Sequence, residues 1–169
     1  MTRTGMIAAL AFTTALGAPA LAQERGGTLN FARYDGSRLI DPIYADRNPD
    51  IWMVGSLFDT LLRTSEDGNT IVDGLAESFA VSDDGLTVTL NMQADLKFSD
   101  GASLEGEDIL FSLDRARNPD LGPWAGMLGN VENVTAEGNT VTLSLSQPDP
   151  TILAMLTTFN TAIVNKAVF

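Results

Sequence analysis

Two of the most chemically versatile residues are missing: none of the 169 residues is a cysteine or a histidine. Without cysteine the chain has no disulfide, no thiol nucleophile and no cysteine to carry a lipid after an export signal. Without histidine, imidazole-based triads and His or Cys metal sites are excluded from these residues. Positive charge is also scarce, with 10 Lys and Arg against 22 Asp and Glu and a net charge of −12. Such a field repels phosphate backbones, so nucleic acid is not an expected partner. Neither GxGxxG nor GxxxxGK[ST] occurs, which removes the common nucleotide-cradling loops. Beyond the first twenty or so residues, no apolar run approaches the roughly 20 residues that a membrane span requires. There is no internal repeat and no low-complexity tract.

The first segment has the three regions of a cleavable export signal. Arg3 supplies the charged start, Met6 to Leu16 the apolar stretch, and Ala20-Leu21-Ala22 the small-x-small cleavage site before Gln23. Thr13, Thr14, Gly17 and Pro19 interrupt the stretch and argue against an uncleaved anchor. The expected mature product, residues 23–169, is soluble and periplasmic. It keeps nine of the ten basic residues, since only Arg3 is lost, and all 22 acids.

An apolar fraction of 44% can supply a packed core. Thr28 to Arg33 has the composition of a short strand. Ile40-Asp41-Pro42 opens an irregular loop carrying Tyr44 and Arg47, and Asn48-Pro49 reads as a helix start with Asn as the cap. Ile51, Val54, Phe58, Leu61 and Leu62 then extend an apolar face at steps of three and four. From Ser65 the pattern turns to strands and tight turns, with turn pairs at Asp67-Gly68 and Asp84-Gly85. Leu86, Val88, Leu90 and Met92 alternate with polar residues as a half-buried strand, and Val141, Leu143 and Leu145 do the same after a turn at Glu137-Gly138-Asn139. Asn118-Pro119 and Gly122-Pro123 frame a loop around Trp124, and a last helix is expected over Thr151 to Leu156. Hairpins mixed with separate helices predict an α/β fold of the mixed α+β kind, not a regular βαβ repeat.

The stretch KFSDGASLEGEDILFSL, Lys97 to Leu113, concentrates four acids, Asp100, Glu105, Glu107 and Asp108. As an EF-hand loop starting at Asp100 it fails, because Ala102, Leu104 and Glu105 stand where acids and a glycine are required. A pair of glycosidase-type carboxylates is available by residue type, but no spacing selects one. A simpler reading assigns Ser99-Asp100-Gly101 to a turn after a short strand at Leu96 to Phe98, followed by a helix. Glu107 and Asp108 then occupy its first turn and Arg115 and Arg117 its last, as the helix dipole favours, with Ile109, Leu113 and Ala116 as the buried stripe. No catalytic residue, metal site or cofactor is expected.

Taken in order, several segments resemble the N-terminal part of the family 5 solute-binding proteins of ABC importers, the dipeptide-, oligopeptide- and nickel-binding type. They are GGTLNFA, IDP at Ile40 to Pro42, LFDTLLRTSEDG, and VDGLAESFAVSDDGLTVTLNMQADLKFSDGASLEGEDILFSLDRA. The resemblance runs from about Gly26 to Lys166 and is specific through the order and spacing of its parts. It implies a two-lobed periplasmic clamp with an extra small domain, closing by hinge motion on a solute. It also implies a receptor that is not an enzyme, that takes peptides or similar small solutes, and that delivers them to membrane permease subunits. Nickel complexes, opines, haem and sugars are other cargoes of such proteins. A monomer is expected.

By position in that family, Tyr44 and Asn48 in the loop after Ile40-Asp41-Pro42, and Trp124, are the candidate ligand-binding residues. Each also has a plain structural role open to it: a packed surface tyrosine, a helix cap and a core tryptophan. Glu105 and Gly106 depart from the usual family residues and predict a helix that lacks its ordinary cap and gains a flexible position. Members of the family are longer than this chain, and Ala162 to Phe169 ends on an apolar run, so a C-terminally truncated domain is expected. The alternatives are a secreted carboxylate-dependent hydrolase and a stand-alone interaction module.

Overall fold

The computed structural model describes residues 26–169. The expected export signal, residues 1–22, lies outside the described residues. Residues 26–32 form neither helix nor strand, so the strand expected over Thr28 to Arg33 is absent.

From Arg33 onward the chain forms a compact body. A short helix, α1 (Asn48–Leu57), is followed by a hairpin, β1 (Leu62–Thr64) with β2 (Ile71–Asp73), and then by β3 (Ala76–Val81) and β4 (Thr87–Met92). The second helix, α2 (Gly106–Arg117), precedes a 3-10 turn at Ala125–Leu128, the pair β5 (Val131–Glu137) and β6 (Thr140–Leu145), a single helical turn, α3 (Ile152–Met155), and a 3-10 turn at Phe159–Thr161. The larger sheet is antiparallel throughout, in the order β3-β4-β6-β5. No described helix is long and apolar enough to cross a membrane.

Alternation makes this sheet two-faced. Val88, Leu90 and Met92 of β4 and Val141, Leu143 and Leu145 of β6 are buried, while Thr89, Asn91, Thr140 and Thr142 point the other way. The pairing Leu90↔Val141 and Val134↔Leu143 puts the apolar side chains in rows across the strands. Against those rows α2 lays Ile109, Leu113 and Ala116, its predicted stripe. Each fully buried Leu or Val contributes about 1.5–3 kcal/mol relative to exposure, so this layer is the main source of stability.

Two turns share one construction. Ser65-Glu66-Asp67-Gly68 and Ser82-Asp83-Asp84-Gly85 both place the serine hydroxyl on the aspartate Oδ1 at 2.6 Å, and both put glycine at positive φ, +74° and +71°. In each the glycine N–H donates to the serine carbonyl, at 2.9 and 2.8 Å. The Asp-Gly pairs therefore act as the sequence predicts, with the serines as added clasps.

Three expectations need correction. First, α1 stops at Leu57, whereas the apolar steps of three and four continue through Phe58, Leu61 and Leu62. Leu61 and Leu62 are buried because the backbone there pairs with residues 73–76: Leu75 N–H donates to Thr60 O and Ala76 N–H to Leu61 O, both at 3.0 Å. The cap is also displaced, because Asn48 is already helical and Arg47 holds the extended cap conformation, with no side-chain capping bond. Second, the Leu96 to Phe98 strand shrinks to a lone bridge between Lys97 and Ser103. Third, the final helix is one turn, Ile152–Met155, with Thr151 and Leu156 as its flanks.

The start of α2 is firmer than its sequence suggests. The Glu105 N–H donates to Asp108 Oδ2 at 2.9 Å, so the third helical residue reaches back to the cap position. A Cβ added to Gly106 would lie 2.7 Å from the Ala136 Cβ. Gly106 thus serves close approach of α2 to β5 and not flexibility.

Candidate functional site

The loop after Ile40-Asp41-Pro42 is organised by Asp41. Its carbonyl accepts the N–H groups of Tyr44 and Ala45, each at 3.2 Å, and its Oδ1 accepts the N–H of Ile43 at 3.2 Å. Its Oδ2 meets Arg115 Nη2 of α2 at 2.5 Å. The loop is therefore wound around the carbonyl and carboxylate of one residue and anchored to the helix that covers the sheet.

The Trp124 loop closes on the same segment from the other side. A Cβ on Gly122 would fall 2.3 Å from the Ile43 carbonyl oxygen, so only glycine permits this approach. The Trp124 indole N–H donates to Ala45 O at 2.8 Å, and its ring meets Phe159 edge-on at 5.6 Å between centroids and 87° between planes. Trp124 is half-buried, Ala45 and Ile43 are buried, and Tyr44 between them is exposed. Tyr44 and Trp124, 80 positions apart in sequence, thereby lie on two segments joined by one hydrogen bond.

Asn48 lies at the far end of the loop and is exposed. Its carbonyl accepts a long hydrogen bond of 3.4 Å from Arg33 Nη2. Around it, Arg47 pairs with Asp35, and Asp50, buried in the first turn of α1, gathers the turn at residues 37–39. Asp50 Oδ1 accepts from Arg38 N–H at 2.7 Å, Ser37 hydroxyl at 2.9 Å and Leu39 N–H at 3.3 Å. The Arg38 N–H foremost, then Ser37, Leu39 and the Arg47 charge, hold its carboxyl below the usual range despite burial, which acts the other way.

Sequence reasoning did not single out Arg33 or Trp52. The guanidinium carbon of Arg33 sits 3.9 Å from the centre of the Trp52 ring. Arg33 reaches Asn48 through its main-chain carbonyl, so no side-chain spacing in the sequence marks the pair.

Three of the four acids of the Lys97 to Leu113 stretch are engaged in structure. Asp100 Oδ1 accepts Ala102 N–H at 2.9 Å within its turn. Asp108 accepts Lys166 N–H on its other oxygen at 2.9 Å, and Ser112 Oγ accepts Val164 N–H at 3.0 Å, so α2 holds the segment after the last 3-10 turn. Glu107 pairs with Lys166 at 2.9 Å, and this hydrogen bond, reinforced by the charge, lowers the carboxyl pKa and raises that of the lysine. A cleft of about 810 Å³ lies beside this helix start, lined by residues including Glu105, Glu107, Ala136 and Lys166. Another of about 500 Å³ is lined by Phe58, Phe98, Val164 and Phe169 among others. Neither is lined by Tyr44, Asn48 or Trp124.

Comparison with known proteins gives this geometry its context. Residues 70–168 match the family described as bacterial extracellular solute-binding proteins, family 5 Middle. A Brucella ovis protein named for ABC-transporter peptide binding is 35% identical over 63% of this chain and 20% of its own length. The glutathione-binding protein GsiB of Salmonella paratyphi A is 30% identical over 75% of this chain and 25% of its own. Among solved structures, the Escherichia coli murein tripeptide binding protein MppA superposes with a TM-score of 0.71 at 27% identity, over 79% of this chain and 30% of that one. MoaA of A. tumefaciens R10, solved with mannopinic acid, gives 0.72 at 28%, over 77% and 28%. The chain thus spans 20% to 25% of the length of these two curated relatives. With more than half of its residues inside the family's own match, and its α/β fold that of periplasmic binding proteins, this chain belongs to the family 5 bacterial extracellular solute-binding proteins.

Proposed function

We propose that the chain serves in the periplasm as the substrate-binding component of an ABC importer, reached through the export signal at residues 1–22. There it captures peptides or similar small solutes and hands them to permease subunits in the membrane. Tyr44, Asn48 and Trp124 contribute one wall of the solute cleft. The observation that carries this reading is the indole hydrogen bond from Trp124 to Ala45 O, which joins the two candidate segments into one shelf on which Tyr44 is exposed and Trp124 half-buried. Family membership supports the same role.

Capture of this kind uses binding chemistry alone. A solute that contacts both walls stabilises the closed clamp over the open one, and the closed form is what a permease recognises. No bond in the solute is broken, and three of the acids that a hydrolase could use, Asp100, Asp108 and Glu107, are held in a turn, a helix cap and an ion pair. A shelf that supplies one wall binds weakly by itself, with a dissociation constant of roughly millimolar order.

Titration of the exported chain with short peptides, followed through the Trp124 indole N–H resonance, tests the proposal. The expected result is a saturable shift at millimolar peptide with the peptide recovered intact. Cleavage of the peptide, or an indole signal that ignores every peptide tried, defeats it. Micromolar affinity would instead overturn the assignment of the shelf as only one wall.

A further inference from the structure

Arg33 stands apart from the other part-buried cations. Arg47, Arg115 and Arg117 each have a carboxylate within 4 Å, whereas among the described residues Arg33 has none, in a chain with 22 acids. It is nevertheless held in place. The Trp52 ring lies 3.9 Å beneath its guanidinium carbon, and Nη2 reaches the Asn48 carbonyl at 3.4 Å. Its Nε is buried with no hydrogen-bond partner. A guanidinium held over an indole face keeps its in-plane N–H groups as donors, the chemistry that recognises a carboxylate. Trp52 remains 53% exposed, so the ring is open to solvent, whereas the Arg33 Nε is not.

We infer that Arg33, stacked on Trp52 and braced by Asn48, is a binding site for a carboxylate group of the captured solute. This rests on the proposed solute-binding role and adds a chemical class: solutes with a free carboxylate in preference to neutral or amidated ones. The charge is preorganised, because the ring and the carbonyl fix the guanidinium before the solute arrives, and it is uncompensated, because no acid of the described chain takes its place. Arg47 does not share the role, since Asp35 already holds it.

The test uses the 15N-labelled full chain titrated with trialanine and with trialaninamide, reading the Arg33 Nε–H and the two indole N–H resonances separately. The expected result is a saturable shift of Arg33 and Trp52 with trialanine, roughly tenfold weaker with the amide. Arg33→Gln should erase the difference between the two peptides, Arg33→Lys should restore only part of it, and Arg38→Gln should leave it intact. A Trp124 shift equal for both peptides, with Arg33 and Trp52 silent, overturns this inference and leaves the solute-binding role standing. Silence at all three positions overturns both.

Discussion

Arg115 and Asp41 are 74 residues apart in sequence, and their side chains meet at 2.5 Å, both mostly buried, at the point where the candidate loop joins α2. Asp41 also shapes that loop through three backbone N–H groups. Losing Arg115 therefore leaves a carboxylate that is still occupied but no longer neutralised. Arg115→Ala and Asp41→Ala should each destabilise the protein by about 1–3 kcal/mol, and the double variant should lose clearly less than the sum. Urea unfolding of the four proteins gives the coupling energy. A value near zero would show that the contact does no more than an exposed surface pair.

Gly106 offers a steric test of how closely α2 meets β5. Gly106→Ala places a methyl 2.7 Å from Ala136 Cβ. A cost of about 1–3 kcal/mol is expected from this overpacking, even though alanine favours helix by about 1 kcal/mol. Adding Ala136→Gly should recover most of the loss. If Gly106→Ala is stabilising by itself, the close approach is not a constraint.

The Asp108 carboxylate accepts Glu105 N–H on one oxygen and Lys166 N–H on the other. An amide can accept on one side only, so Asp108→Asn sets an NH2 against an N–H. The expected cost is about 1–3 kcal/mol, with hydrogen exchange accelerated at Lys166 and Val164 before the sheet is affected. Unchanged exchange at those two positions would contradict the bracing role.

Acid should weaken the Ser65–Asp67 clasp only below the ordinary aspartate range. The Ser65 hydroxyl first, then the Asn69 side chain and N–H, lower the Asp67 pKa from 3.8 to about 2. Because the folded value lies below the unfolded one, its stabilising effect is complete above about 3.8 and is lost as pH falls towards 2. Asp50 follows the same sign through Arg38 N–H. Carboxyl 13C titration should show both depressed, and Ser65→Ala should raise Asp67 alone. An Asp67 value near 3.8 in the unaltered protein would contradict the clasp.

Trp124→Phe keeps an aromatic face for Phe159 and removes only the donor to Ala45 O. A loss of about 0.5–1.5 kcal/mol is expected, together with faster exchange at Tyr44 and Ala45. Trp124→Ala should cost more and abolish the peptide response proposed for the shelf. Equal stability of the two variants would mean that the ring face contributes nothing.

The elements legible in sequence are those whose burial follows their own period. In α2, Ile109, Leu113 and Ala116 face the sheet as spaced, and β4 and β6 alternate as read. The misread elements are settled by distant partners. Leu61 and Leu62 fit a helical period, but residues 73–76 and the carbonyl of Leu156 claim their backbone. Thr28 to Arg33 has a strand's composition, yet residues 26–32 form neither helix nor strand. In β5 the burial of Val131 and Val134 breaks strict alternation at an irregularity between Val131 and Asn133, which hides the strand from a period of two. At the candidate site the residue types could be named, but the joining of Trp124 to the loop passes through a main-chain oxygen, which no side-chain pattern records.

That oxygen has an evolutionary corollary. Since the indole grips the backbone of Ala45, and Asp41 likewise holds Tyr44 and Ala45 by their N–H groups, the path of the loop does not depend on which side chains it displays at positions 44, 46 and 48. Those three are exposed, while the anchors at 41, 43 and 45 are not. The segment separates a fixed frame from displayed side chains, so substitutions at positions 44, 46 and 48 leave the course of the main chain in place.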